Sequence, residues 1–338
     1  MKHMVLAGFT AAALLLGGLD ASAQSRRTCT AEAPCNLRIA TVAPDNTPWA
    51  TQLQSLEERI EEASGGRINV MPRLGSSAGE NSLARQCRDG SLEAVGASTA
   101  ALATLVPELS VFEIPFLFDT PQQADAIIDR QLFRQVDRLL AAAGFKLYMF
   151  NENGFRNFAT TNGTVIRSAA DFAGLQMRAQ DSWIHEAMYR ALRANYTTIP
   201  VTETQTALST GRVNGFDNTP LFAQAAGWHN SINTWIVSNH IYQPAVVVYN
   251  KAWFDSLPDD LQEILLANRQ EETRTGRRLV RRINPLLINN LRASGVNVVE
   301  LTAAERAALR EATMSVRAEF RRRVPTGAPL LDIIEANL

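Results

Sequence analysis

Lysine is almost missing from this chain. It stands only at positions 2, 146 and 251 of 338 residues, and arginine carries the rest of the basic charge. Arg-for-Lys bias of that kind lowers the weight of any single arginine as a functional sign. With 33 Lys and Arg against 34 Asp and Glu, the net charge is −1. That balance offers no basic face for nucleic acid or for an anionic membrane surface. Cysteine is scarce, with three residues, and histidine with four. No CxxC pair and no His-rich spacing occurs, so no metal site and no cofactor is expected. His185, His229 and His240 stand apart from one another and read as surface or packing residues. No apolar run reaches the roughly 20 residues that a membrane-spanning helix needs.

What is present begins with a leader. Lys2 is followed by the apolar run MVLAGFTAAALLLGG and by Ala21-Ser22-Ala23, the pattern of a charged start, an apolar stretch and a small-x-small cleavage site. Residues 1–23 are therefore expected to be a cleavable signal peptide that sends a soluble protein to the periplasm. Export makes Cys29, Cys35 and Cys87 candidates for a disulfide. Cys29 with Cys35, closing a small loop around TAEAP, is slightly preferred to Cys35 with Cys87; sequence alone does not assign the pair.

The mature length favours two domains. LRIATVAP (37–44) reads as a buried strand. A helix follows with Trp49, Leu53, Leu56 and Ile60 on one face, ended by Gly65-Gly66. RINVMPRLG, the helix ENSLARQCRDG and SLEAVGAST complete a strand–helix–strand–helix–strand unit, the α/β signature with a parallel sheet. After helices, FKLYMFNENG is another strand. From about Arg156 the pattern restarts with NFATT, LQMRAQ, YTTIPV and RVNGFDN as strands. HIYQPAVVVYNKAWF reads as a long strand that crosses back. LPDDLQEILLANRQEETRTGRRLVRRI is expected to be one long helix. Its Arg277, Arg278, Arg281 and Arg282 would form a solvated face near its end, and Pro285 would kink or stop it. Thr302 and Glu305 form a capping box for the next helix.

Three polar residues are candidates for ligand chemistry. Asn218 ends the strand RVNGFDN, and α/β units bind ligands at the carboxyl ends of their strands. Arg156 sits where the first unit hands over to the second. Arg178 lies within DFAGLQMRAQ (171–180), on a strand. A competing motif is GSSAG (75–79), which fits the G-x-S-x-G elbow of serine hydrolases. A polar Gly/Ser loop explains it better, since Pro72 and Arg73 interrupt the preceding strand.

Taken together, LRIATVAP, the LG turn at 74–75, IPFLF (114–118), NGFRNF, DFAGLQMRAQ, TETQTALSTGRVNGFDNTP and the Leu-Pro before the long helix resemble one family. It is the extracytoplasmic solute-binding proteins of tripartite ATP-independent periplasmic (TRAP) transporters, of the dicarboxylate-binding DctP type. The resemblance runs from about Leu37 to the C-terminal region. It implies an α/β fold of the type II periplasmic-binding-protein kind: two α/β domains with crossing hinge strands and a long helix spanning both. Residues 24–153 plus about 242–281 would form domain I, 154–241 plus about 282–338 domain II, and the ligand cleft would lie between them. It implies a protein that does no covalent chemistry. It would capture an organic acid and deliver it, as a monomer, to a small and a large membrane subunit. By resemblance, Arg178 would form the salt bridge to the ligand carboxylate, with Arg156 and Asn218 beside it. Trp49 and Phe116 would line the cleft, and Glu80 or Asn81 would read the far end of the ligand. Trp228 and Trp235 read as packing residues. The sequence departs from the family pattern at Asn214, where aspartate is usual, and at Gln205, where tyrosine is frequent and pocket shape is at stake. The rivals are a binding protein of another importer or sensor, and a secreted hydrolase built on Ser77.

Overall fold

The computed structural model describes residues 26–338; the expected signal peptide at 1–23 lies outside them. Among the described residues nine strands join one mixed sheet. They are β1 (Cys35–Ala40), β2 (Ile68–Arg73), β3 (Ala94–Ser98), β4 (Phe145–Thr160), β5 (Gln176–Ala179), β6 (Asn195–Thr198), β7 (Gly215–Asn218), β8 (Thr234–Asn250) and β9 (Asn297–Glu300). Their order is β2-β1-β3-β8-β4-β7-β5-β6, with β9 paired to β8. One end, β2-β1-β3, is parallel, and so is the other, β7-β5-β6. The middle is antiparallel: β3 with β8, β8 with β4, and β4 with β7. The two parallel α/β units expected from the sequence are thus the two wings of the sheet, and two long antiparallel strands join them.

FKLYMFNENG and NFATT are a single 16-residue strand, β4. Likewise β8 starts at Thr234, before HIYQ, and KAWF leaves it as the short helix Lys251–Asp255. A sheet this long must bend to follow both wings. The β4–β8 ladder does so at three register shifts, at Leu147/Met149, Glu152/Gly154 and Arg156/Phe158. Gly154, at φ +101, supplies a backbone conformation there that a side chain would resist.

Helices cover both faces. Pro48–Ser64 starts on a Thr47 cap, buries Trp49, Leu53, Leu56 and Ile60, and ends at left-handed Gly65. The expected long helix is in fact two. Asp259–Leu266 stops before Asn268, which is left-handed at φ +59, and Arg269–Ala293 then runs straight through Pro285. Burial of Val280, Leu287 and Leu291 on both sides of the proline holds that helix together. The arginine cluster lies mid-helix and differs from expectation in part: Arg278 and Arg282 are exposed as expected, whereas Arg277 and Arg281 are paired. Arg277 is 4% exposed and bonds Asp129 at 2.7 and 2.9 Å. Arg281 bonds Asp125 at 2.8 Å and pairs with buried Glu152 of β4. These partners lie more than a hundred residues away in sequence, so a local reading assigns the charges to solvent. The capping box at Thr302 and Glu305 forms as expected. Cys29 and Cys35 are bonded, and Cys87 is free and buried.

Candidate functional site

Between the wings, across the crossing strands, lies a cavity of about 180 Å³. That is a space suited to a small organic molecule. One wall comes from the first wing: Thr41 and Val42 after β1, Trp49 at its helix start, Glu80 and Asn81 at the start of helix Glu80–Arg88, and Gly96 of β3. The opposite wall holds Arg178 of β5, Gln180 and Asp181 beyond it, Asn218 at the end of β7, and Leu221 and Phe222 of the helix that Pro220 opens. Asn153, Arg156 and Gln243 from β4 and β8 form the floor.

The two arginines are both about 1% exposed but are not equivalent. Arg156 gives Nε and Nη2 to the Oδ2 and the carbonyl of Asp217, each at 2.6 Å. Its Nη1 serves Gln243 Oε1 at 3.0 Å and Asn218 Oδ1 at 3.4 Å. Burial alone would raise the Asp217 carboxyl; the Arg156 charge and the His240 hydrogen bond hold it well below its ordinary range. Arg156 is therefore an electrically balanced floor strut with little donor capacity left over. Arg178 has one protein hydrogen bond, from Nε to the carbonyl of Ile199 at 2.9 Å. Its Nη1 is buried without a partner. Burial first, and repulsion by Arg156 second, lower its pKa to about 10, so it remains a cation at neutral pH. A buried, charged guanidinium with open in-plane donors is costly unless an anion meets it.

Behind the floor the histidines are part of a buried polar chain. Glu113 accepts from Gln243 Nε2 at 3.0 Å and lies 3.2 Å from His185 Nε2. Asp217 also accepts from Tyr189 at 2.8 Å and lies 3.4 Å from His240 Nε2. His240 stacks on Phe158 at 3.9 Å, and burial pushes its pKa down to about 4 despite Asp217. The chain fixes which way Gln243 points. Its NH2 group faces Glu113, so its oxygen must face Arg156.

The other expected residues fall as follows. Trp49 lines the cavity and donates Nε1 to Asn153 at 3.1 Å. Glu80 lines it too, accepting from the Ser98 N–H at 2.9 Å and hydroxyl at 2.8 Å. Burial raises the Glu80 pKa, and those two bonds oppose the rise. Asn81 spends its NH2 group on the opposite wall, on the carbonyl and carboxylate of Asp181 at 3.1 and 2.8 Å. Asn218 keeps its own NH2 for the cavity, because its oxygen accepts from Thr219 N at 2.7 Å. Phe116 lies away from the cavity lining. It is left-handed at φ +53, buried in the core beside β5, 6.3 Å from the His240 ring, with Arg306 over it at 5.2 Å. Gln205 bonds Ser231 at 3.3 Å behind the wall, so it does not shape the cavity directly. Ser77 is exposed in a turn, and among the described residues it has no hydrogen bond to a histidine. Sequence reasoning missed Gln243, Gln180 and Asp181. Gln243 sits in HIYQPAVVV as a polar residue inside an apolar strand, which is a usable signal; the other two stand at a strand end with nothing to mark them.

Two α/β wings facing each other across a cavity that holds Arg178, a buried cation without an acidic partner, are the architecture of a solute-binding protein. The sequence matches the profile of the bacterial extracellular solute-binding protein family 7, the DctP family, over residues 39–323. This chain belongs to that family and is a TRAP-type binding protein. The 2,3-diketo-L-gulonate-binding periplasmic protein YiaO of Escherichia coli is 26% identical over 83% of this chain and 86% of its own length. The C4-dicarboxylate-binding periplasmic protein DctP of Rhodobacter capsulatus is 29% identical over 87% and 88%. Among solved structures, the sugar acid binding protein DctPAm of Advenella mimigardefordensis, in complex with galactonate, superposes with a TM-score of 0.85. It is 26% identical and covers 90% of this chain and 99% of its own. A TRAP periplasmic binding protein of Roseobacter denitrificans shares the fold at a TM-score of 0.84 and 23% identity, over 89% and 99%. Family members are binding proteins of the periplasm. Among the described residues no helix is long and apolar enough to cross a membrane.

Proposed function

We propose that this protein captures a hydroxylated monocarboxylic acid of sugar-acid type and hands it, as a monomer, to the small and large membrane subunits of a TRAP transporter. Arg178 carries the reading: it is a buried cation with free donors and no carboxylate partner. A guanidinium offers two parallel N–H bonds to the two oxygens of a carboxylate, a fork that lysine lacks. Asn218 adds a donor beside it. At the far wall, Glu80 has lone pairs left after Ser98 and suits ligand hydroxyls better than a second carboxylate. Trp49 presents a flat apolar face for the carbon chain. Closure would bend β4 and β8 near the Gly154 bulge, with 24–153 and about 242–281 moving against the remainder.

A dicarboxylate is the second reading. Arg85 stands exposed at the cavity lining, and no acidic partner holds it among the described residues. It could take a second acid group from a longer ligand.

The test is a thermal-shift screen of refolded, ligand-free protein against sugar acids, hydroxy and keto acids, dicarboxylates and the matching amides. Ligand at 100 times its Kd adds about 2.7 kcal/mol, a shift of several degrees. Shifts with acids and none with their amides support the reading, and the strongest acid names the class. A shift with an uncharged sugar or a cation overturns it. Arg178→Lys should weaken binding of the best acid roughly 100-fold, on the scale of about 3 kcal/mol for a desolvated charge pair, without unfolding the protein. Near-wild-type affinity in calorimetry would refute the clamp.

A further inference from the structure

Arg178 keeps its charge while almost fully buried, with a single carbonyl as its hydrogen-bonding partner, and something must offset the burial. The compensating group is an aromatic face. The Arg178 guanidinium carbon lies 5.5 Å from the centroid of the Trp228 ring, within the range at which the negative face of an indole attracts a cation. Trp228 is 1% exposed and held rigidly. Phe216 and Phe222 meet its ring edge-to-face at 5.2 and 5.5 Å. It opens the 3-10 turn Trp228–Ser231, entered through Gly227 at φ +75 and tied to the neighbouring helix by the Gln205–Ser231 bond.

The geometry of the compensation matters. A carboxylate beside Arg178 would take up in-plane N–H donors, as Asp217 does with Arg156. A ring face beside the guanidinium stabilises the charge without taking up donors as a carboxylate does. We propose that Trp228 is a positioning residue for ligand capture: its face holds and compensates the Arg178 guanidinium, leaving the in-plane donors open to an incoming carboxylate. Without the ring, Arg178 would turn toward Asp217 or Glu80, buried acids whose charge it feels, and the ligand would have to displace that pairing. The inference rests on the reading of Arg178 as the carboxylate clamp.

The experiment measures affinity by calorimetry with D-galactonate, or with the strongest acid of the screen if galactonate gives no shift. The variants are Trp228→Leu, Trp228→Phe and Arg178→Gln. Trp228→Leu should bind about 10- to 30-fold more weakly, and Trp228→Phe, which keeps a π face, should recover most of the loss. Should Trp228→Leu fail to fold, fluorotryptophan replaces it, since ring fluorine drains the π face at nearly constant shape. Fluorination should weaken binding in the wild-type protein more than in Trp228→Phe, a difference that removes the contribution of Trp49. Ligand-free protein labelled at arginine gives a second readout. The Arg178 Nε–H resonance, assigned by its loss in Arg178→Gln, should carry a ring-current shift that Trp228→Leu or fluorination alters. Equal losses in Trp228→Leu and Trp228→Phe would make the residue mere filling and overturn the proposal. So would wild-type affinity in Trp228→Leu. If Arg178→Gln binds as well as wild type, the clamp reading itself fails; if Arg178→Gln fails to bind while Trp228→Leu binds normally, only this inference falls.

Discussion

Asn81→Ala is the perturbation that best separates a residue reading the ligand from one closing the cleft. The Asn81 amide crosses from one wall to the other and makes two bonds to Asp181, one to its carbonyl and one to its carboxylate. A second bond follows the same path, from Gln180 to Ser98 at 3.4 Å. These contacts exist only when the walls are together. A net hydrogen bond is worth about 0.5–1.5 kcal/mol, and more when the acceptor is charged. Water recovers part of that at this half-buried position. The loss should be about 1–2 kcal/mol, or roughly tenfold in Kd. Encounter precedes closure, so the change should appear in the dissociation rate and leave association alone. It should also be the same factor for a strong and a weak acid, because no ligand atom is involved. Stopped-flow tryptophan fluorescence reads both rates, with Trp49 in the cavity wall as reporter. Asp181→Ala, which keeps the carbonyl bond, should lose less than Asn81→Ala, and the double variant should lose little more than Asn81→Ala alone. A factor that varies from ligand to ligand would refute the latch and return Asn81 to the role expected from the sequence.

Three further outcomes follow from the same structure. Gly96→Ala would place a methyl group 3.0 Å from the Trp49 ring, pushing the indole into the cavity; affinity should fall and stability drop by about 1–3 kcal/mol, read by calorimetry and melting. His240 is neutral in the fold, with a pKa of about 4 against 6.5 as its ordinary value. Between those values the unfolded chain binds a proton that the folded chain does not, so stability should fall as pH drops from about 6.5 to about 4. The loss approaches about 3 kcal/mol, and His240→Gln should flatten that part of a denaturation-versus-pH curve. Cys29→Ser with Cys35→Ser removes a short-loop cross-link, and should cost about 2 kcal/mol with no change in affinity.

The parts legible in the sequence were those carried by local pattern. Alternation exposed the strand around Arg178, Pro220 marked the helix after Asn218, and Thr302 with Glu305 announced a cap. Arg178 raised a question as a charge in a short strand, but its expected role came from the family resemblance. The illegible parts depend on distant chain. Arg277 and Arg281 look solvated until Asp125, Asp129 and Glu152 are brought beneath them. The histidines look unconnected until folding gathers His185 and His240 around Asp217. Pro285 reads as a helix end because propensity is local, whereas the packing that overrides it is not. Phe116, expected at the cleft, instead sits left-handed in the core beside β5.

The order of the strands also has a consequence for how the chain is made. β3 is the inner strand of the first wing, paired on one side with β1 and on the other with Ala245–Tyr249 of β8. The first wing therefore keeps an open strand edge until the ribosome has passed residue 249, by which time the second wing has been synthesised as well. Neither half can complete its fold as an early, self-sufficient unit, and such non-local pairing is slow to form. For a family whose members work in the periplasm, late completion of the fold suits export, because the architecture that clasps a ligand is the same one that keeps the chain loose until its last strands are made.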